Sequence, residues 1–316
     1  MTMKKRYIVG GVALAAVSGT VLYTAGMFKK CMGRAKDNIP TRDSKLVKEK
    51  LLPYADEIYD GVDWLHGDGS EIVYTEAFDG IKLAAICLPA KEPKATAVLM
   101  HGFRSTPYWD FAGVVKKYSE MGFNLLLPYQ RAHGKSEGKY ITFGVKERRD
   151  VHSWIDWVKN RFGENEKIIL DGISMGCATV LMGSELGYPE NVKGIIADCG
   201  YTSPYDIVSC VMKDNMHLPK YPFIWMYDAA CRAFGGFSLK ECSATDAMKV
   251  NKVPVLFAHG EADDFVPYWM TKQNYDACTA QKYFVSVPEA GHGMCYLIDK
   301  EQYNGAIDRF VEEILK

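Results

Sequence analysis

The stretch Lys167–Thr179, KIILDGISMGCAT, constrains the fold more than any other part of the chain. An apolar run, Ile168-Ile169-Leu170, leads into Gly172-Ile173-Ser174-Met175-Gly176, and a helix-forming segment, Cys177–Leu186, follows. The pattern predicts strand, sharp turn and helix, with a serine at the apex and a glycine two residues to either side. Such a turn holds the serine in a strained backbone conformation, and side chains at the flanking glycines would collide with strand and helix. The serine oxygen is thereby pushed out beyond the end of a sheet, the geometry of a nucleophile elbow.

The rest of the chain reads as repeated strand–helix units around that turn. Glu71–Phe78 and Ile81–Leu88 are strand-like and joined by Asp79-Gly80, a strong hairpin signal. Ala95–Met100, Phe123–Leu127 (stopped by Pro128), Val192–Ala197, Val253–Ala258 and Tyr283–Val287 are short apolar runs of the kind buried parallel strands show. Helical patterns over Leu46–Ile58 (broken near Pro53), Tyr108–Met121, Val145–Phe162, Tyr268–Cys278 and Gln302–Leu315 separate them. The expected architecture is α/β: a mainly parallel central sheet with helices on both faces. Between Asp198 and Val253 the rhythm fails for more than fifty residues. A small helical cap is expected there, about residues 201–250, with Tyr221–Tyr227 and Ala233–Phe237 offering aromatic and methionine side chains to an apolar substrate or simply packing the cap down.

Residues 70–316 form the expected catalytic domain, and 31–69 a linker with a leading helix. Ahead of them Ile8–Phe28 has no charged residue and is flanked by Lys4-Lys5-Arg6 and Lys29-Lys30. As a helix it would span roughly 31 Å, close to a bilayer core of about 30 Å. Residues 1–30 are therefore expected to be a single-pass membrane anchor. The alternative is a secretory signal cleaved near Ala13-Leu14-Ala15 or Ala16-Val17-Ser18.

Charge and metal-type spacing narrow the chemistry. A net charge of −1 gives no field for nucleic acid, the seven histidines contain no H-E-x-x-H pair, and the nine cysteines contain no C-x-x-C. No metal or cofactor is expected, and most cysteines read as small buried apolar residues. A serine nucleophile needs a base, and His292, in Glu289-Ala290-Gly291-His292-Gly293 after the last strand, is placed to supply it. His66, His152 and His217 lack such a position. The acid that orients the base is sought in His259-Gly260-Glu261-Ala262-Asp263-Asp264, with Asp263 first, Asp264 second and Asp198 a weaker third. Two backbone N–H groups should form an oxyanion hole: Met175, after the serine, and Phe103, in the loop His101-Gly102-Phe103-Arg104. His101 and His133 are expected to brace loops rather than transfer protons.

With these residues in place, the chain resembles the α/β-hydrolase superfamily from about Glu71 to the C-terminus. It looks most like membrane-anchored bacterial hydrolases of the serine-aminopeptidase and monoacylglycerol-lipase-like branch. The resemblance implies a Ser174–Asp263–His292 triad, no cofactor, and a cap after the sixth strand. It departs from the D-x-R-G-x-G-x-S pattern frequent in relatives, having Ala132 where the first Gly stands. The expected activity is cleavage of an ester through an acyl-enzyme on Ser174, as a carboxylesterase or lipase-like enzyme on small or lipid-like apolar substrates. The alternatives are a peptidase or thioesterase of the same fold, or an inactive membrane-tethered binding protein.

Overall fold

The computed structural model describes residues 23–39, 41–42, 49–67 and 69–316. Eight strands make one sheet: β1 (Glu71–Glu76), β2 (Lys82–Leu88), β3 (Ala95–Met100), β4 (Phe123–Tyr129), β5 (Ile168–Ile173), β6 (Val192–Asp198), β7 (Val255–Gly260) and β8 (Lys282–Val287). Their spatial order is β1-β2-β4-β3-β5-β6-β7-β8. β2 runs antiparallel to both neighbours, and every pairing from β4 to β8 is parallel. Crossover helices then cover both faces, which is why the central strands β3, β4, β5 and β7 are buried along their whole length.

Alternation along each strand divides the core in two. Val98, Met100, Ile168 and Leu170 point to one layer. Ala97, Leu99, Ile169 and Ile173 point to the other. The first layer holds α1 (residues 23–32), α5 (Glu147–Phe162), α6 (Met175–Gly183), the cap, α9 (Ala244–Val250) and α10 (Tyr268–Ala277). The second holds α2 (Ala55–Leu65), α3 (Pro107–Phe111), α4 (Val115–Glu120), α11 (Cys295–Ile298) and α12 (Lys300–Leu315).

Several expected elements change shape. The helix expected over Tyr108–Met121 is two, α3 and α4, separated at Gly113, where a side chain would collide with the Tyr296 ring. Strand β4 runs through Pro128 to Tyr129; β3 pairs with it only as far as Leu126, so Pro128 is flanked by β2 alone, where a missing N–H is tolerated. Pro53 lies inside a 3-10 turn, Glu49–Tyr54, and the helix begins after it at Ala55. The cap comprises α7 (Pro204–Cys210), continued by a π turn Val211–Asn215, and α8 (Lys220–Ala230), continued by Cys231–Gly235. α9 packs on α6 and α10 and so belongs to the sheet's own helical layer, which shortens the expected cap at its C-terminal end.

The expected N-terminal anchor is described only at its C-terminal end. Residues 8–22 of the expected anchor lie outside the described residues. Among the described residues no helix is long and apolar enough to cross a membrane. The described end of that run, within α1, is folded onto the body: Thr24, Met27 and Phe28 are buried, and Phe28 meets Tyr140, Tyr227 and Phe234. Residues 33–35 are also attached and not a free linker. Gly33 bridges to Tyr140, and the Ala35 N–H donates to the Ala132 carbonyl over 2.8 Å.

Candidate active site

Ser174 stands between β5 and α6 with φ 57° and ψ −115°, a conformation that costs an L-residue of order 1–3 kcal/mol. The surroundings impose it. A Cβ at Gly176 would collide with the Met100 carbonyl, and one at Gly172 with the Gly176 carbonyl and the Cys177 N–H. Strand β3 and helix α6 can approach this closely only through glycine. The Ser174 N–H donates to the Asp198 carbonyl at the end of β6 (2.9 Å), which fixes the apex to the sheet. Cys177 is buried in the same helix, as its position predicts.

The loop after β8 brings His292 to the serine. Ser174 Oγ–H donates to His292 Nε2 over 2.9 Å, and His292 Nδ1–H donates to Asp263 Oδ2 over 2.7 Å. Asp263, in the loop after β7, has a fully buried side chain, while that of His292 is 25% exposed. The other carboxylate oxygen of Asp263 accepts the N–H groups of Phe265 (2.8 Å) and Val266 (2.9 Å). Burial alone would raise the Asp263 carboxyl; hydrogen bonds from His259 and His292 outweigh it and hold the group well below the usual carboxylate range. Asp264 is exposed on the same loop. Asp198 sits buried at the end of β6, where burial raises its carboxyl.

The third loop, after β3, carries Gly102 and Phe103. A Cβ on Gly102 would press on Ser174 Cβ at 3.3 Å, so the chain passes directly beside the nucleophile. Asp110 of α3 holds this loop, accepting from Gly102 N–H and from Ser105 Oγ–H, each over 2.6 Å. Among the described residues no acceptor takes the N–H of Phe103 or Met175. His101 and His133 brace the loop, as expected. His101 Nε2 accepts the Gln130 N–H (3.0 Å), and His133 Nε2 accepts the Arg104 N–H (3.0 Å). Burial pushes both imidazoles down, His133 well below its usual value, so they serve as neutral acceptors. Ala132 takes φ 60°, so the backbone there keeps the left-handed turn that glycine would adopt.

Cys199 lies near the triad, its sulfur with His292 and Asp263 atoms inside 4.8 Å, a spacing that could hold a metal ion. His292 and Asp263 spend those atoms on each other and on Ser174.

An apolar cavity of about 150 Å³ opens beside Ser174. The cap contributes Ile207, Val208, Val211, Met212, Met216 and Tyr227. Of the cap aromatics expected to reach a substrate, Tyr227 lines this cavity. Tyr221, Trp225 and Phe234 are exposed and Phe237 packs in the core. Sequence reasoning missed several contributors, among them His259 beside Asp263, and Met27, Cys31 and Phe143 in the cavity wall. His259 was visible as a histidine at a strand end, whereas nothing local marked the others.

Comparison with known proteins agrees with this architecture. A family profile described as X-Pro dipeptidyl-peptidase (S15 family) matches residues 79–229. The uncharacterized protein YqkD of Bacillus subtilis (strain 168) is 25% identical over 197 residues, 62% of this chain and 65% of that protein, so a third of that relative lies outside the match. The uncharacterized protein YfhR of Escherichia coli (strain K12) is 25% identical over 247 residues, 75% of this chain and 77% of that protein. Among solved structures, the Pyrococcus furiosus esterase Pf2001 is similar with a TM-score of 0.67 at 20% identity, covering 90% of this chain and 99% of that one. The sheet order, the strained serine after β5 and these likenesses define a hydrolase fold with a serine at its elbow. The chain has the α/β-hydrolase fold, and the comparisons support that superfamily and not the serine-aminopeptidase or monoacylglycerol-lipase-like branch.

Proposed function

We propose that the chain is a serine esterase acting on carboxylic esters with an apolar acyl group. The observation that carries this reading is the continuous hydrogen-bond chain Ser174–His292–Asp263 opening onto an apolar cavity. Ser174 Oγ attacks the ester carbonyl as its proton passes to His292 Nε2. The tetrahedral oxyanion is held by the N–H groups of Phe103 and Met175, a type of contact typically worth about 2.7–4 kcal/mol per donor. Collapse expels the alcohol, which takes the proton from His292. Water, deprotonated by the same nitrogen, then attacks the acyl-enzyme and releases the acid. Asp263 keeps His292 in the tautomer that accepts at Nε2.

The S15 match raises peptide hydrolysis as the second reading. The cavity argues against it: among the described residues none of its walls carries a charge to receive a peptide's terminal amine. A fluorophosphonate probe, p-nitrophenyl esters and X-Pro p-nitroanilides, tried on wild type and Ser174→Ala, decide the matter. Ester turnover and Ser174 labelling that both vanish in Ser174→Ala support the esterase. Amide turnover without ester turnover supports the peptidase, and an unlabelled folded wild type supports a binding protein.

Membrane attachment belongs to the same proposal. The uncharged residues 8–22 lead directly into α1, whose Tyr23 packs on Phe223 of α8, a helix that also exposes Tyr221 and Trp225. Exposed aromatics beside an apolar segment suit a membrane–water interface. Carbonate extraction of membranes from cells expressing the full chain tests it: release of the protein into the soluble fraction would refute insertion.

A further inference from the structure

Helix α1 lies against the cap and is tied to the loop that carries Phe103. Its buried face, Thr24, Met27, Phe28 and Met32, packs into the same layer as the cap. Two of its residues, Met27 and Cys31, form part of the cavity wall facing Ser174. The C-terminal end of the helix is tied to the oxyanion loop. Arg104, one residue after Phe103, donates through Nη1 to the carbonyls of Gly33 (2.9 Å), Lys30 (3.3 Å) and Cys31 (3.4 Å). A guanidinium on the last carbonyls of a helix satisfies acceptors that have no partner within it. Arg34 makes a second tie, donating to the carbonyls of Ser136 (2.5 Å) and Gly134 in the turn after β4. Both candidate signal-cleavage points, after Ala15 or Ser18, precede this helix, so processing there would leave it in place.

We infer that α1 is part of the active site, with Met27 and Cys31 closing the acyl-binding cavity and setting the longest acyl group it accepts. This rests on the esterase reading and adds the substrate class. A cavity of about 150 Å³ lined by apolar side chains is the size that admits a benzene molecule. It lies below the roughly 300–1,000 Å³ usual for drug-sized ligands. The acyl group is therefore short, of about six carbons. The limit is imposed by a segment that strand and helix patterns assign to a tether. Removing side-chain volume at residue 27 or 31 deepens the cavity, and adding volume there fills it.

The test uses the full chain and p-nitrophenyl esters from acetate to decanoate. For wild type, kcat/KM should peak near hexanoate. Met27→Trp should lower the hexanoate-to-acetate ratio of kcat/KM about tenfold or more, since one methylene that no longer fits costs about that much. The double variant Met27→Ala/Cys31→Ala should move the peak to longer chains. Near-UV circular dichroism confirms that each variant is folded, and the milder double variant carries the test if Met27→Trp disrupts docking. A wild type that hydrolyses esters and labels at Ser174, with folded variants that keep its chain-length profile, overturns the inference alone. A wild type that neither labels nor hydrolyses any ester overturns the esterase reading and this inference with it.

Discussion

His259 Nε2 lies 3.1 Å from Asp263 Oδ2, the oxygen that also receives the proton of His292 Nδ1. The ring of His259 is fully buried at the end of β7. Its Nε2 also meets the Val266 carbonyl at 3.0 Å, and its Nδ1 meets Thr271 Oγ at 2.7 Å. Thr271 donates its own proton to the Gly200 carbonyl (3.0 Å), which leaves its oxygen to accept. Both ring nitrogens of His259 therefore face oxygen atoms. The triad carboxylate is thus shared between two histidines, one reaching the nucleophile and one sealed beneath it.

This sharing predicts a change in the pH profile. Replacing His259 with Leu takes from Asp263 one of the two histidine hydrogen bonds that hold its carboxyl below the usual range. That carboxyl then rises, and the acidic limb of kcat/KM should move to higher pH. A pH–rate profile measured on both proteins checks it. An unmoved limb would show that His259 only packs the loop.

The two adjacent acids should separate cleanly. Asp263→Asn removes the acceptor that fixes the tautomer of His292 and should lower kcat about 10⁴-fold, as loss of a triad acid does elsewhere. Asp264 is exposed and His292 Nδ1 is taken by Asp263, so Asp264→Asn should stay within a few-fold of wild type, about the scatter expected of a surface change. Steady-state kinetics on p-nitrophenyl acetate measure both. Equal losses would refute the assignment.

A stability prediction follows from Asp171, buried in β5 below the elbow. Its Oδ2 accepts from the Tyr118 hydroxyl at 2.6 Å. Burial, helped by the nearby Asp198 carboxylate, raises its carboxyl to about 7 against the opposing Tyr118 bond. An unfolded aspartate titrates near 3.9. Between about 4 and 7 the folded chain therefore holds a proton that the unfolded chain has lost, and stability falls as pH rises through that window. Asp171→Asn removes this dependence. Its melting temperature should exceed that of wild type at pH 8 and match it near pH 4. A difference that does not change with pH would contradict the assignment.

Much of the site was legible because its parts are punctuated locally. Gly172, Ser174 and Gly176 reveal a turn through sterics that act within five residues. Gly102 and the Gly291-His292-Gly293 loop each follow an apolar run that reads as a strand. Asp263 and Asp264 could be ranked no further, since a one-residue step on a loop turns a side chain through an angle that only the closed loop fixes. The helix drawn over Tyr108–Met121 failed for a similar reason: Tyr296, far along the chain, occupies the space beside Gly113.

Sequence by itself determined the α/β order of elements, the strained serine, and the strand ends from which base and acid arrive. These depend on periodicity and on contacts between near neighbours. Only the tertiary structure decided that Asp263 faces His292, that His259 lies beneath that carboxylate, and that α1 walls the cavity. Each joins residues distant along the chain, and such pairings are fixed by how the layers pack and leave no trace in local composition. The same apolar side chains that read as the end of a membrane segment, Met27 and Phe28, are buried here because the cap offers them an equally apolar surface.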